Sequence, residues 1–188
     1  MRSGSAPLVE PISRLFFALW PDQVTRAALD QIAANLHAHW GGRRMHSDTL
    51  HMTLAFLGDT PLARLDALRE LAASISGEAF TFTLDRPDCW QHNYVGWLGP
   101  ASSPPALTEV VADLRQAMLA SKFAFDDKRF VPHITLLRNA QCGPPPICQP
   151  VMWRANDFVL LASRRQQPGY DVLGTWPLSV HADVPKSA

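Results

Sequence analysis

At 188 residues, 47% of them apolar and 18% charged, the chain has the make-up of one globular domain with a well-buried core. Lysine plus arginine and aspartate plus glutamate both number 17, so bulk charge is excluded as a means of holding a polyanion, and any nucleic-acid contact must come from a local patch. The longest apolar runs, such as Leu15 to Trp20, fall far short of the roughly 20 residues that cross a bilayer.

Met1 to Pro11 has no hydrophobic stretch behind its charge and does not read as a signal peptide. Residues 1–12 and 181–188 are expected to be flexible tails around a single domain, 13–180. Arg14 to Trp20 reads as a strand bounded by Pro21, and Pro21-Asp22 suits the first turn of a helix. Val24, Ala28, Ile32 and Leu36 recur at helical spacing up to about His39, where Gly41-Gly42 stops the helix. Leu50 to Gly58 is a short apolar strand, followed by a turn over Gly58 to Pro61. A second amphipathic helix carries Leu62, Leu65, Leu68 and Leu71.

Ala79 to Leu84 alternates Phe80, Phe82 and Leu84 with threonines, as a half-buried strand does. Cys89-Trp90 and Tyr94 to Leu98 read as the arms of a hairpin turning near His92-Asn93. A third helix carries the stripe Leu107, Val110, Val111, Leu114 and Met118. Phe130 to Arg138 is the next strand, and Gly143-Pro144-Pro145-Pro146 is a connection. Asp157 to Ser163 and Tyr170 to Trp176 form a closing antiparallel pair. Because strands often follow one another directly, an α+β fold with antiparallel sheets fits better than a doubly wound parallel one. Helix then motif strand occurs in each half, which suggests two related lobes. Cys89, Cys142 and Cys148 are odd in number and match no zinc spacing, so reduced thiols in a cytoplasmic protein are expected.

Two segments repeat one pattern: His51-Met52-Thr53-Leu54 and His133-Ile134-Thr135-Leu136. A chain of this composition carries such a pair by chance about once in a thousand cases. On a strand each histidine and the threonine two residues later share a face, while Met52, Leu54, Ile134 and Leu136 point to the core. Two such strands facing each other would place two imidazoles and two hydroxyls in one cleft, a setting for acid–base chemistry. Neither motif has a second histidine, cysteine or carboxylate at ligand spacing, so no metal is expected. Arg138 would suit a phosphate, but five residues after His133 it faces away on a regular strand; a bend or the strand's end must redirect it. Arg43 and Arg44 precede the first motif strand and are candidate guides for an RNA strand, or a solvated loop. Phe17 and Phe130 are core candidates, with base stacking as the alternative. His46 and His92 read as loop residues, and His37 and His39 as the C-terminal end of a helix.

At these residues the sequence resembles the two-histidine phosphoesterase superfamily, and within it the bacterial RNA 2′,3′-cyclic phosphodiesterases, also called 2′-5′ RNA ligases. The matching stretches are Arg14 to Leu19, Leu50 to Gly58 and Pro132 to Arg138, supported by Val95 to Gly99 and Trp176-Pro177-Leu178. The resemblance implies a bilobal α+β fold with pseudo-two-fold symmetry, antiparallel sheets flanking a central cleft and helices outside. It implies His51 as proton donor, His133 as proton acceptor, and Thr53, Thr135 and Arg138 as phosphate-binding residues, with no metal and no cofactor. The substrate it implies is RNA ending in a 2′,3′-cyclic phosphate, opened to a 2′-phosphate, with 2′-5′ joining as a second reaction. Alternatives are a small cyclic nucleotide or ADP-ribose cyclic phosphate as substrate, or a module that binds RNA ends without turnover. A cytoplasmic monomer away from membranes is expected.

Overall fold

The computed structural model describes residues 11–164 and 167–179. Its ten strands are β1 (Ile12–Leu19), β2 (Arg43–Arg44), β3 (Met52–Pro61), β4 (Phe80–Leu84), β5 (Arg86–Trp90), β6 (Val95–Gly99), β7 (Ile134–Arg138), β8 (Val151–Ala155), β9 (Asp157–Ser163) and β10 (Tyr170–Pro177). Eight of them form one antiparallel sheet in the order β10-β9-β1-β3-β7-β6-β5, with β2 added beside β7. The remaining pair, β4 and β8, makes a small sheet of its own. The expected α+β fold with antiparallel sheets is what the chain adopts.

The apolar run at Leu15 to Trp20 is explained by its place inside the large sheet. Leu15, Phe17 and Leu19 enter the main core, while Phe16 and Ala18 turn to the opposite face and join Val159 and Leu161. A strand covered on both faces has no polar side to alternate with. β9 splits the same way, Phe158, Leu160 and Ala162 to one face and Val159 and Leu161 to the other.

Three helices close the main core. α1 (Gln23–Trp40) starts at Asp22, whose carboxylate accepts from the Thr25 N–H at 2.7 Å. That hydrogen bond holds the Asp22 carboxyl below the usual carboxylate range. Gly41 ends the helix at φ 59°, and Gly42 follows at φ 79°. A Cβ on Gly42 would lie 2.7 Å from the Arg138 carbonyl oxygen, so only glycine lets the chain pass there into β2. α2 (Leu65–Ala73) buries Leu68, Leu71 and Ala72, and α3 (Pro105–Ala120) buries the stripe from Leu107 to Met118. Each buried leucine or methionine contributes about 1.5–3 kcal/mol over an exposed one.

Several expectations are corrected. Val24 is 80% exposed; Ile32 and Leu36 are buried as expected, and Thr25, Leu29, Ala33 and Trp40 make up the rest of the buried face of α1. Gly58 to Pro61 does not turn but continues β3, paired with Ile12 to Leu15 of β1; Gly58, at φ 71°, absorbs a register shift there. Ile12 already belongs to β1, which shortens the expected N-terminal tail; residues 1–10 and 181–188 lie outside the described residues. β2 and β8 were not foreseen. Cys89 and Cys142, expected as free thiols, form a disulfide with Cα atoms 5.4 Å apart, and Cys148 stays free. Their separation of 53 residues hides what the β5-β6-β7 order brings together. Among the described residues no helix is long and apolar enough to cross a membrane.

The motif strands β3 and β7 are neighbours, joined at a single pair, Met52 with Ile134. Beyond it β3 follows β1 and β7 follows β6, which leaves a seam in the middle of the sheet.

Candidate active site

Each histidine stands one residue before its strand, and each is fixed the same way. His51 Nδ1 lies 2.7 Å from the Thr49 carbonyl oxygen, and His133 Nδ1 lies 2.7 Å from the Val131 carbonyl oxygen. A carbonyl can only accept, so Nδ1 carries the hydrogen in both rings and Nε2 is left with a free lone pair. Thr53 and Thr135 follow on the same face by strand alternation, while Met52, Leu54, Ile134 and Leu136 are buried in the core.

A bulge then changes the count in both strands. On β3, Phe17 pairs with Ala55 and Ala18 with Thr53, so Leu54 is the extra residue. On β7, Gly96 pairs with Leu137 and Trp97 with Thr135, so Leu136 is the extra residue. Two consecutive residues, Leu54-Ala55 and Leu136-Leu137, are thereby buried, and the residue five after each histidine returns to the cleft face. In β7 that residue is Arg138, and in β3 it is Phe56. The bend that Arg138 needed is this bulge.

The seam opens into a cavity of about 390 Å³ lined by His51, Thr53, His133, Thr135 and Arg138. The five residues of the two motif strands that the sequence singled out for acid–base and phosphate chemistry therefore share one wall. Arg14, Phe16, Met45, Thr49, Phe56, Ser163 and Tyr170 complete the lining. Among the described residues no carboxylate lines it; Asp59 sits alongside, 3.6 Å from Arg14.

Burial works against the charged form of both rings. Burial pulls His51 down to about 4, helped by the charges of His133 and Arg138 and opposed by the Thr49 carbonyl. Burial also lowers His133, against the Val131 carbonyl. The Tyr170 phenol is pushed up by burial, and Arg138 opposes that shift. Arg138 thus acts electrostatically on both His51 and Tyr170.

Aromatic side chains hold each imidazole. Phe16 lies 4.9 Å from His51, Tyr170 meets it edge-on at 5.1 Å, and Trp20 stacks at 6.3 Å. Trp90 meets His133 at 4.5 Å and Trp97 at 6.1 Å. None of these was singled out from the sequence. Alternation could have found Phe16, since it must face away from its core neighbour Phe17; nothing local marks Tyr170.

The remaining candidates divide. Phe17 lies in the core: it has no exposed surface and packs against Phe158 and Trp176, both at 6.1 Å, which leaves no free face for the alternative of base stacking. Arg44 is held at 2.7 Å by Asp30 of α1 and does not line the cavity. Arg43 sits opposite Arg138 on β2 and lines a shallower neighbouring recess beside Tyr170. Phe130 and His92 line a groove on the far side of His133. His46 is exposed near Asp48, and the rings of His37 and His39 bond the backbone of the α1 end.

Two fixed imidazoles, two threonines and an arginine around one cavity in an antiparallel sheet define a two-histidine phosphoesterase. The chain belongs to the 2′-5′ RNA ligase superfamily, whose family model matches residues 19–162. It is 34% identical over 171 residues to the RNA 2′,3′-cyclic phosphodiesterase of Escherichia coli (strain K12), covering 88% of this chain and 97% of that one. It is 28% identical to the RNA 2′,3′-cyclic phosphodiesterase of Thermus thermophilus, over 88% of this chain and 90% of that one. The crystal structure of E. coli LigT complexed with 3′-AMP superposes with a TM-score of 0.81 at 33% identity, over 90% of this chain and 99% of that one.

Proposed function

We propose that this protein is an RNA 2′,3′-cyclic phosphodiesterase that opens a terminal cyclic phosphate to a 2′-phosphate. The observation that carries the reading is the pair of imidazoles on one cavity, each with Nδ1 tied to the backbone and Nε2 free. Relatives are named RNA 2′,3′-cyclic phosphodiesterases, and one similar structure is of E. coli LigT complexed with 3′-AMP.

In the proposed reaction His133 Nε2 takes a proton from water, which attacks phosphorus in line with the ribose 3′ oxygen. The bond from phosphorus to that oxygen breaks, and His51 Nε2 supplies its proton, leaving a 2′-phosphate. Arg138 and the Thr53 and Thr135 hydroxyls donate to the nonbridging oxygens as charge builds on them. His51 must be protonated to act, and it is neutral when the cleft is empty. The phosphate anion supplies the correction: a negative charge beside the ring favours imidazolium, so His51 takes up a proton from solvent as substrate binds. Arg14 and Arg138 favour an anionic ligand and disfavour a cation, which supports catalysis without a metal.

Both histidines, both threonines and Arg138 come from one chain, which supports a monomer. We place the activity in the cytoplasm; the Cys89–Cys142 disulfide is unusual there and marks an oxidising compartment as the alternative. The test is incubation of the purified protein with a 2′,3′-cyclic-phosphate oligonucleotide in chelator, with a 5′-hydroxyl RNA added in parallel. A 2′-phosphate product is expected in chelator. Binding without turnover would make it a module for RNA ends, and loss of turnover in chelator would end the metal-free mechanism.

A further inference from the structure

The catalytic cavity is not closed on its His133 side. A second cavity of about 410 Å³ adjoins it, and the two share Thr53, Phe56 and His133. One wall of this groove is the segment 126–131, fastened to β3 where the Asp126 N–H donates to the Phe56 carbonyl at 2.8 Å. The other is the β5–β6 turn, where Trp90 and His92 hold their rings 6.3 Å apart at 34°. Phe130 adds a third ring to the lining.

Charge runs one way along the same groove. Arg115, Lys128 and Arg129 line it against the single carboxylate of Asp126, which Lys128 pairs at 3.1 Å. Among the described residues neither Arg115 nor Arg129 has a carboxylate partner. Arg115 donates through Nη2 to the Lys128 carbonyl at 2.7 Å, while its Nε is buried with no partner. Flat rings beside three cations that outnumber the one carboxylate suit a single nucleic-acid strand, whose bases stack and whose phosphates need countercharge. Each cavity is within the range, roughly 300–1,000 Å³, of a pocket for one small ligand.

We propose that this groove holds the nucleotide next to the cyclic-phosphate end, so that the protein grips two successive nucleotides of one strand. The terminal one lies in the catalytic cavity and its neighbour beyond His133. The inference rests on the RNA reading above and narrows it: the substrate is an oligonucleotide, and a cyclic mononucleotide fills half of the site.

Lys128 and Arg129 are exposed and outside the catalytic cavity, so the double variant Lys128→Ala/Arg129→Ala tests this. Turnover is compared on a 2′,3′-cyclic mononucleotide and a cyclic-phosphate-ended trinucleotide, and Kd is measured for the corresponding 2′-phosphates across a salt series. The native protein should favour the trinucleotide about tenfold or more in kcat/KM, by gaining a stacked base and one or two phosphate contacts. The variant should lose that preference with mononucleotide turnover unchanged, and its trinucleotide salt slope should fall by about 1.4, roughly 0.7 per lost contact. Equal kcat/KM for both ligands in the native protein, or an equal loss on both in the variant, would overturn the proposal. A defect confined to joining a separate 5′-hydroxyl strand would overturn it too, because the groove would then hold the other strand. If neither ligand is turned over, the hydrolase reading fails, and the Kd and salt slope still decide the groove.

Discussion

The first and second motif strands follow the same local rule and then part company in their surroundings. In each, a histidine is tied through Nδ1 to a carbonyl two residues back, a threonine follows on its face, and a bulge returns the fifth residue to the cleft. His51, however, sits among Phe16, Trp20 and Tyr170, whereas His133 has two indoles beside it, of which Trp90 is also a wall of an open groove. The fifth residue is the apolar Phe56 in one strand and the cationic Arg138 in the other. Equal backbone geometry with unequal environment gives two rings of one chemistry different proton affinities. The proposed donor is the ring that burial holds near 4, so a bound phosphate anion must favour its charged form before the pair can act as acid and base.

The strongest way to break the comparison is to remove each ring. His51→Ala and His133→Ala should each lower kcat by about 10² to 10⁴ while the 2′-phosphate product still binds, as steady-state rates and product titration would reveal. A large loss in one and none in the other would mean that a single imidazole carries the chemistry.

The fifth position comes next. Arg138→Ala removes charged hydrogen bonds worth about 1.5–3 kcal/mol, so kcat/KM should fall roughly 10- to 150-fold. Phe56→Leu should cost about twofold, the scale of a surface substitution. Equal effects would show that position alone matters, and that Arg138 donates nothing to phosphate.

Threonine replacements sharpen the pairing. Thr53→Val and Thr135→Val keep the strand and delete one donor each, and kcat/KM should fall about tenfold in both. An effect in only one would place the phosphate against that strand.

The smallest effect is on stability against pH. Below about 6.5 the unfolded His51 ring binds a proton, while the folded ring does so only near 4. The unfolded state therefore holds more protons in that window, and thermal stability of the ligand-free protein should fall as pH drops through it. His51→Gln should flatten this slope more than His133→Gln, since both rings are lowered and His51 further. Saturating phosphate should flatten it as well. For turnover, kcat/KM against pH should be bell-shaped, with its maximum on the acid side of 6.5.

Much of the molecule was legible because it depends on near neighbours. Asp22 caps a helix whose signals lie within four residues, and Phe80, Phe82 and Leu84 alternate as a half-buried strand must. Where the reading slipped, a distant partner decided. Gly58 to Pro61 carries turn residues, yet β1 lies alongside and extends the strand through them. Phe17 was a core candidate and alternation turns Phe16 to the opposite face, but only the pairing with β3 and β9 brings Phe16 against His51. The Cys89–Cys142 pairing depends on strand order and not on spacing.

By itself the sequence determined which residues are candidates for the chemistry: a histidine and a threonine two apart share a strand face in any fold, and occurring twice they announce a pair. Tertiary structure alone decided that the pair meets in one seam, that bulges bring Arg138 and Phe56 back to the cleft, and that burial lowers His51 further than His133. The physical reason is range. Side-chain direction along a strand is set by adjacent peptide units, whereas register, burial and electric field are set by residues far away in the chain.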